Sequence, residues 1–245
     1  MNQFSSRFGG IPPLVLNLLI INVLVFFGMS MLERAGVDWV MNFALYYPGS
    51  ELFQPYQLIT HMFMHGSTMH LFFNMFALWM FGKVLESVWG AKRFFVYYFV
   101  TGVGAALLHT LVLYLQLGSL GAEAQALLNT MSPEGFALFV KDNFPQQAGQ
   151  VSGFVTQWMD YPQNSQFLAQ AEAYVNQLVN MKLNVPTVGA SGAVFGVLLA
   201  FGMLFPNTRL VLLFPPIPIK AKWFVIGYGL IELVSGISNQ AGDNV

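Results

Sequence analysis

The chain contains no cysteine among its 245 residues, which removes disulfides, thiolate metal sites and cysteine nucleophiles from consideration. It is also poor in charge. Lys, Arg, Asp and Glu make up 9% of the residues, against roughly 25% in soluble domains, and the mean hydropathy is +0.58. A formal net charge of −1 gives no electrostatic basis for binding nucleic acid. Apolar side chains, by contrast, make up 56% of the chain, the composition of a protein whose main partner is the lipid bilayer. Histidine is scarce as well, yet three of the four fall within "HMFMHGSTMHLFFN", residues 61–74, inside one of the most apolar regions.

Five stretches approach the ~20 apolar residues that cross a bilayer: 11–32, 69–89, 94–116, 190–205 and 222–237. The first follows "GGIPP" and has neither the short apolar core nor the small-residue cleavage site of a signal peptide, so it reads as a retained span. The expected fold is all-α, a polytopic transmembrane helix bundle, with residues 1–245 forming one membrane domain. Placing the amino terminus in the cytoplasm puts Arg7, Lys83, Lys92, Arg93, Arg209, Lys220 and Lys222 inside, against Arg34, Lys141 and Lys182 outside. The outer segments are then 33–68 and 117–189. The first is rich in rings suited to the headgroup boundary: Trp39, Phe43, Tyr46, Tyr47, Phe53 and Tyr56. The second is a long extracytoplasmic insertion between spans three and four. It shows helix-start signals at Ser132-Pro133-Glu134 and Asn164-Ser165. In "SQFLAQAEAYVNQLVNM", Phe167, Leu168, Ala171, Tyr174, Val175, Leu178 and Val179 recur on one helical face, which predicts an amphipathic helix.

A polar group within hydrocarbon costs free energy unless it is paired, so His70 and Asn74 inside a span are candidates for function. Their i, i+4 spacing points both side chains from one helical face. The fourth span opens with "GASGAVFG". Gly189 and Gly192 flank Ser191, and Ala190, Ala193 and Gly196 further remove bulk around it. A serine at a helix start has unpaired amides and the positive dipole end beside it, both favourable to an oxyanion. The Ser191 N–H with the His70 and Asn74 side chains could therefore stabilise the oxygen that becomes negative when a serine attacks a carbonyl. This is an acyl-transfer arrangement, and it needs a base to activate the hydroxyl.

In these features the chain resembles the rhomboid family of intramembrane serine proteases. "HGSTMHLFFN" is similar to the family's second-helix histidine and asparagine pattern, "GASG" to its G-x-S-G serine motif, and Glu86 in "FGKVLESVWGAKRF" to the acidic residue after that helix. The resemblance implies Ser191 as nucleophile, His70 and Asn74 as the oxyanion hole, His65 in the nearby polar network, and Phe195 beside the catalytic histidine. It implies transmembrane proteins as substrates, a bacterial inner membrane as location, and no metal or other cofactor.

The chain departs from the family pattern twice. "PYQLITH" carries Tyr56-Gln57 where many members have Trp-Arg. The family's base is a histidine on a sixth helix in an A-H-x-x-G-x-x-x-G pattern, and no histidine follows His109 here. The expectation is a sixth helix with that histidine beyond Val245. Substitution by His65, His70 or His109, or a non-catalytic relative that binds membrane proteins, are the alternatives. Two other classes are weaker. His61 and His65 have the spacing of H-E-x-x-H, but Met62 replaces the glutamate of a metalloprotease. His70 and His109 could ligate a haem. His109, Glu86 and Glu232 are expected to be architectural.

Overall fold

The computed structural model describes residues 10–211 and 218–237, apart from the side chains of 232, 233 and 235–237. Arg7, the Glu232 side chain and the terminal "SNQAGDNV" lie outside the described residues. In chain order the helices are α1 (Pro13–Arg34), α2 (Val40–Phe43), α3 (Gln57–Thr60), α4 (Thr68–Ala77), α5 (Lys83–Trp89), α6 (Ala91–Leu117), α7 (Leu120–Asn129), α8 (Pro133–Asn143), α9 (Ala148–Asp160), α10 (Ser165–Leu183), α11 (Ser191–Leu204) and α12 (Ala221–Ile237). A 3-10 turn at His61–Phe63 follows α3, and a π turn at Leu78–Gly82 joins α4 to α5. Two short strands, β1 (Arg209–Val211) and β2 (Pro218–Lys220), pair antiparallel ahead of α12.

The chain divides into two compact units. One comprises the described parts of Met1–Leu45, Gln54–Leu108 and Pro186–Val245, and the other Tyr46–Phe53 with His109–Val185. In the first unit, α11 is the central helix. Ala193, Val194, Gly196, Val197, Leu198, Ala200, Phe201 and Gly202 are all buried, as expected of a helix that is apolar all round. Glycine lets its neighbour come close. A Cβ at Gly192 would lie 2.5 Å from the Ala105 Cβ, and one at Gly196 2.6 Å from the Thr101 Cβ, so α11 and α6 meet nearly backbone to backbone. The Tyr97 hydroxyl donates to the Gly196 carbonyl at 2.8 Å and ties the same pair. Val15 and Leu18 of α1, Leu71 and Met75 of α4, Leu85 of α5 and Phe94 and Tyr98 of α6 complete the core.

Glu86 is buried, and its carboxylate accepts the Leu14 and Val15 amides at 3.1 and 2.8 Å. Those amides belong to the first turn of α1, where no intrahelical partner exists and the dipole favours an anion. The glutamate is thus a helix cap supplied from 71 residues away in sequence.

Among the described residues, three helices are long and apolar enough to cross a membrane: Pro13–Arg34, Thr68–Trp89 and the α6–α7 run Ala91–Asn129. These correspond to the first three expected spans, the first helix starting two residues later than expected. The fourth and fifth are the shorter apolar helices α11, with 14 residues, and α12, with 17. At 1.5 Å per residue α11 is about 21 Å long, short of the ~30 Å hydrocarbon thickness. Its burial in protein rather than lipid removes the need to match that thickness.

The second unit is an assembly of four helices, α7 to α10, with its own core of Phe136, Val140, Val151, Val155, Trp158, Ala171, Val175 and Leu178. Both expected helix starts are formed: the Ser132 hydroxyl caps α8 by accepting from the Gly135 amide, and the Asn164 side chain caps α10 by accepting from Gln166. The expected amphipathic helix is α10. Its Ala171, Val175 and Leu178 are buried, with Phe167, Leu168, Tyr174 and Val179 packed against the same core.

Candidate active site

Ser67 has extended backbone, and its hydroxyl accepts the His70 amide at 3.1 Å, so the serine caps α4. Three residues on, His70 is half-buried, and one turn later Asn74 is buried with its Nδ2 donating to the His70 carbonyl at 3.0 Å. A carboxamide has two N–H donors, so this bond spends one and orients the other.

Ser191 is the first residue of α11, and no side chain caps that helix end. The turn before it is held from outside. Leu45 and Thr187 exchange backbone bonds of 2.9 and 2.8 Å, and the Gly189 amide donates to the His61 carbonyl at 2.9 Å. His61 is itself fixed, its Nδ1 lying 2.7 Å from the Gln57 carbonyl. Gln57 is fully buried. Its Oε1 accepts the Gln54 amide at 2.9 Å and its Nε2 donates to the Asn42 carbonyl at 3.2 Å. The Tyr56-Gln57 departure therefore leaves segment 33–68 anchored, through a neutral carboxamide.

The serine and the histidine meet over Gly189. This glycine has φ +131°, and a Cβ built on it would lie 2.7 Å from His70 Cε1, 2.8 Å from His70 Nε2 and 3.4 Å from Ser191 Oγ. One empty point thus borders both the imidazole edge and the hydroxyl. His65 is buried behind them, its ring centroid 4.9 Å from that of His70 and its plane at 60°. It lies in the turn ahead of α4, outside the spanning helix. Burial, and next the proximity of His70, lower its pKa to about 4, and the Phe63 carbonyl, outside good hydrogen-bonding geometry, offsets only part. His65 is therefore neutral near pH 7.

A cavity of about 750 Å³ opens beside these groups. Ser67, His70, Asn74 and Ser191 supply polar atoms, while Phe73, Met80, Phe81, Leu198 and Phe224 are among its apolar walls. Gly192 and Phe195 also line it, and the Phe195 ring packs 5.7 Å from Tyr228 of α12. Ser191, His70, Asn74, Gly189, Gly192, His65 and Phe195 thus all belong to the first unit, and all but Gly189 and His65 line this cavity. Sequence reading passed over Ser67, although a serine ahead of an apolar helical run is an N-terminal signal. His61 and His65 do not share a helical face as H-E-x-x-H requires, because Met64 between them is extended.

A model of the rhomboid domain matches residues 52–128 and 147–242. The chain is also 31% identical over 101 residues to the "Rhomboid protease GlpG" of Photorhabdus laumondii subsp. laumondii, an overlap of 41% of this chain and 34% of that protein. It is 42% identical over 67 residues to the "Rhomboid-like protein 11, chloroplastic" of Arabidopsis thaliana, covering 27% of this chain and 24% of that one. The matched region thus spans about a third or less of the length of these curated relatives.

Proposed function

The chain belongs to the rhomboid family, and on that premise we propose that it is an intramembrane serine endopeptidase that cleaves transmembrane segments of membrane proteins through an acyl-enzyme. The observation that carries this reading is the juxtaposition of Ser191 and His70 around the Gly189 site, at the polar end of an otherwise apolar cavity. Ser191 Oγ attacks the scissile carbonyl, and the carbonyl oxygen becomes an anion. The first-turn amides of α11, the His70 ring and the free N–H of Asn74 stabilise that anion. His70 shares a face with Asn74, which suits donation, so the base that takes the serine proton is assigned to a further imidazole, as the family resemblance implies. The protein is an integral membrane protein. Its proposed setting is a bacterial inner membrane with a cytoplasmic amino terminus, which places the serine near the outer leaflet. Nothing in this chemistry calls for a cofactor.

The test uses the intact protein reconstituted with a single-span substrate. Ser191→Ala is expected to abolish both cleavage and labelling by a fluorophosphonate. His70→Ala and Asn74→Ala are each expected to lower kcat by about 100- to 1,000-fold, the usual cost of one oxyanion donor, with the protein still folded. Cleavage by Ser191→Ala at the wild-type rate would end this reading. Substrate capture without labelling or cleavage would replace it with that of a non-catalytic binder.

A further inference from the structure

The end of α11 remote from Ser191 carries a charge arrangement that the proteolytic reading does not use. β1 and β2 pair so that Arg209 stands directly opposite Lys220. Both are exposed, whereas Leu210 and Ile219, the next pair, turn inward. Like charges facing each other across a ladder repel. Neither cation has an ion-pair or hydrogen-bond partner among the described residues. The segment between the strands reads LLFPPI and supplies no carboxylate. The Glu86 carboxylate is buried and occupied by the α1 amides. The ribbon base is nonetheless fixed, because the Ala221 amide donates to Thr208 at 2.8 Å and the Lys222 amide to Pro206 at 3.2 Å.

We infer that Arg209 and Lys220 form a binding site for the phosphate of an anionic phospholipid headgroup, in the leaflet at the carboxyl-terminal end of α11. A phosphate between the two cations turns their repulsion into a shared attraction, and the guanidinium can hold two of its oxygens. The surroundings favour a lipid over a dissolved phosphate. Val211, 65% exposed, and Trp223, 60% exposed, flank the pair, and the ribbon leads straight into the apolar helix α12. An indole beside cations at the end of a membrane helix suits the headgroup boundary. Basic clusters next to membrane helices attract anionic lipids in the same way.

The test uses the full chain, exchanged into mixed micelles of phosphatidylglycerol and phosphatidylcholine, with retained lipid counted by mass spectrometry. Wild type is expected to retain phosphatidylglycerol preferentially. One cation close to an anionic surface contributes about fivefold, so Arg209→Gln/Lys220→Gln should cut the enrichment roughly thirtyfold, and each single variant about fivefold. Because the pair repels in the absence of a ligand, the double variant should melt no lower than wild type in neutral detergent. Arg209→Lys/Lys220→Arg should keep the enrichment, which separates charge from folding. Lys92→Gln/Arg93→Gln removes the same charge at the start of α6 and should leave most of it. An equal loss in that control would overturn the site in favour of bulk attraction. Unchanged enrichment in the double variant would overturn it outright, and displacement by millimolar inorganic phosphate would overturn the assignment to a lipid.

Discussion

Replacing Gly189 with alanine probes the proposed site most directly, because the new methyl would occupy the point that borders both Ser191 and His70. Two costs arise. Gly189 has φ +131°, a conformation essentially reserved for glycine, and holding alanine there costs on the order of 1–3 kcal/mol of stability. The methyl would also stand 2.7 Å from His70 Cε1 and 2.8 Å from Nε2, so the ring must retreat by most of an ångström to restore ordinary contact. His70 is confined by the Ser67 cap on its amide and by His65 behind its ring, so that retreat displaces the donor from the oxyanion position.

A misplacement of about 1 Å in a catalytic group costs roughly 100-fold, and loss of one oxyanion donor costs 100- to 1,000-fold. Gly189→Ala is therefore expected to lower kcat by about 100-fold or more. KM should change only a few-fold, since the apolar cavity walls are untouched. The assay is steady-state cleavage of a single-span substrate, with the fluorophosphonate labelling rate and a thermal melt on the same sample. Gly104→Ala, a helical glycine whose Cβ would meet nothing within 4 Å, is the neutral control. A folded Gly189→Ala protein with kcat within about threefold of wild type would refute the proposed geometry.

Other perturbations read other parts of the molecule. His65 is held to about pKa 4 in the fold against 6.5 when unfolded, so the unfolded chain binds the extra proton more readily. Stability should therefore be intact above about pH 6.5 and fall progressively toward pH 4, by up to about 3 kcal/mol. Melts across that range should show the loss in wild type and a flatter profile in His65→Phe. Glu86→Ala strands two first-turn amides of α1, one buried and one partly buried, and should cost about 2–4 kcal/mol, with Glu86→Gln intermediate; an unchanged melting temperature for the alanine variant would dismiss the cap. The chain has no cysteine, so a single one at exposed Gln163 gives a clean topology probe. An impermeant maleimide should label it in intact cells, and labelling only after lysis would invert the proposed orientation.

How much of this was legible in the sequence follows from which forces write a one-dimensional pattern. Apolar runs of spanning length are such a pattern, and α1, the Thr68–Trp89 run and α6 lie within a few residues of where hydropathy put them. The i, i+4 pair His70 and Asn74 and the Gly-flanked Ser191 were also visible, because helical spacing and small-residue flanks are local. The cap on α10 was readable from Asn164 alone. What could not be read were contacts between distant segments. Nothing near Glu86 indicates that it caps α1, and nothing near Gln57 indicates that its carboxamide spans Gln54 and Asn42. The long insertion was legible only in part. The α8 and α10 starts carry side-chain caps, whereas α7 and α9 have none: Ser119 and Gln147 before them are themselves in helical geometry, so even the serine, a usual start residue, does not act as a cap. That α7 to α10 enclose a core around Trp158 is a tertiary fact with no periodic trace in the indole itself.

The scarcity of charge with which the sequence announces itself also determines how the candidate site is held. A buried ion pair must recover a large desolvation cost, whereas a neutral hydrogen bond in an apolar interior is strong and incurs none of the charge penalty. The hydrogen bonds described above around the serine turn are of the neutral kind: Leu45 with Thr187, Gly189 with His61, His61 with Gln57, Gln57 with Gln54 and Asn42, Ser67 with the His70 amide, and Asn74 with the His70 carbonyl. Ionic screening acts on charges within reach of solvent, with a Debye length that shrinks to about 3 Å at 1 M salt, and it has little to act on in this frame. The labelling rate of Ser191 should therefore stay within about twofold between low salt and 1 M salt. Over the same range the phosphatidylglycerol enrichment at Arg209 and Lys220 should fall steeply, because there the attraction is between exposed charges. A several-fold slowing of Ser191 labelling by salt in a protein that remains folded would mean that an ion pair helps to position the serine, contrary to the neutral frame.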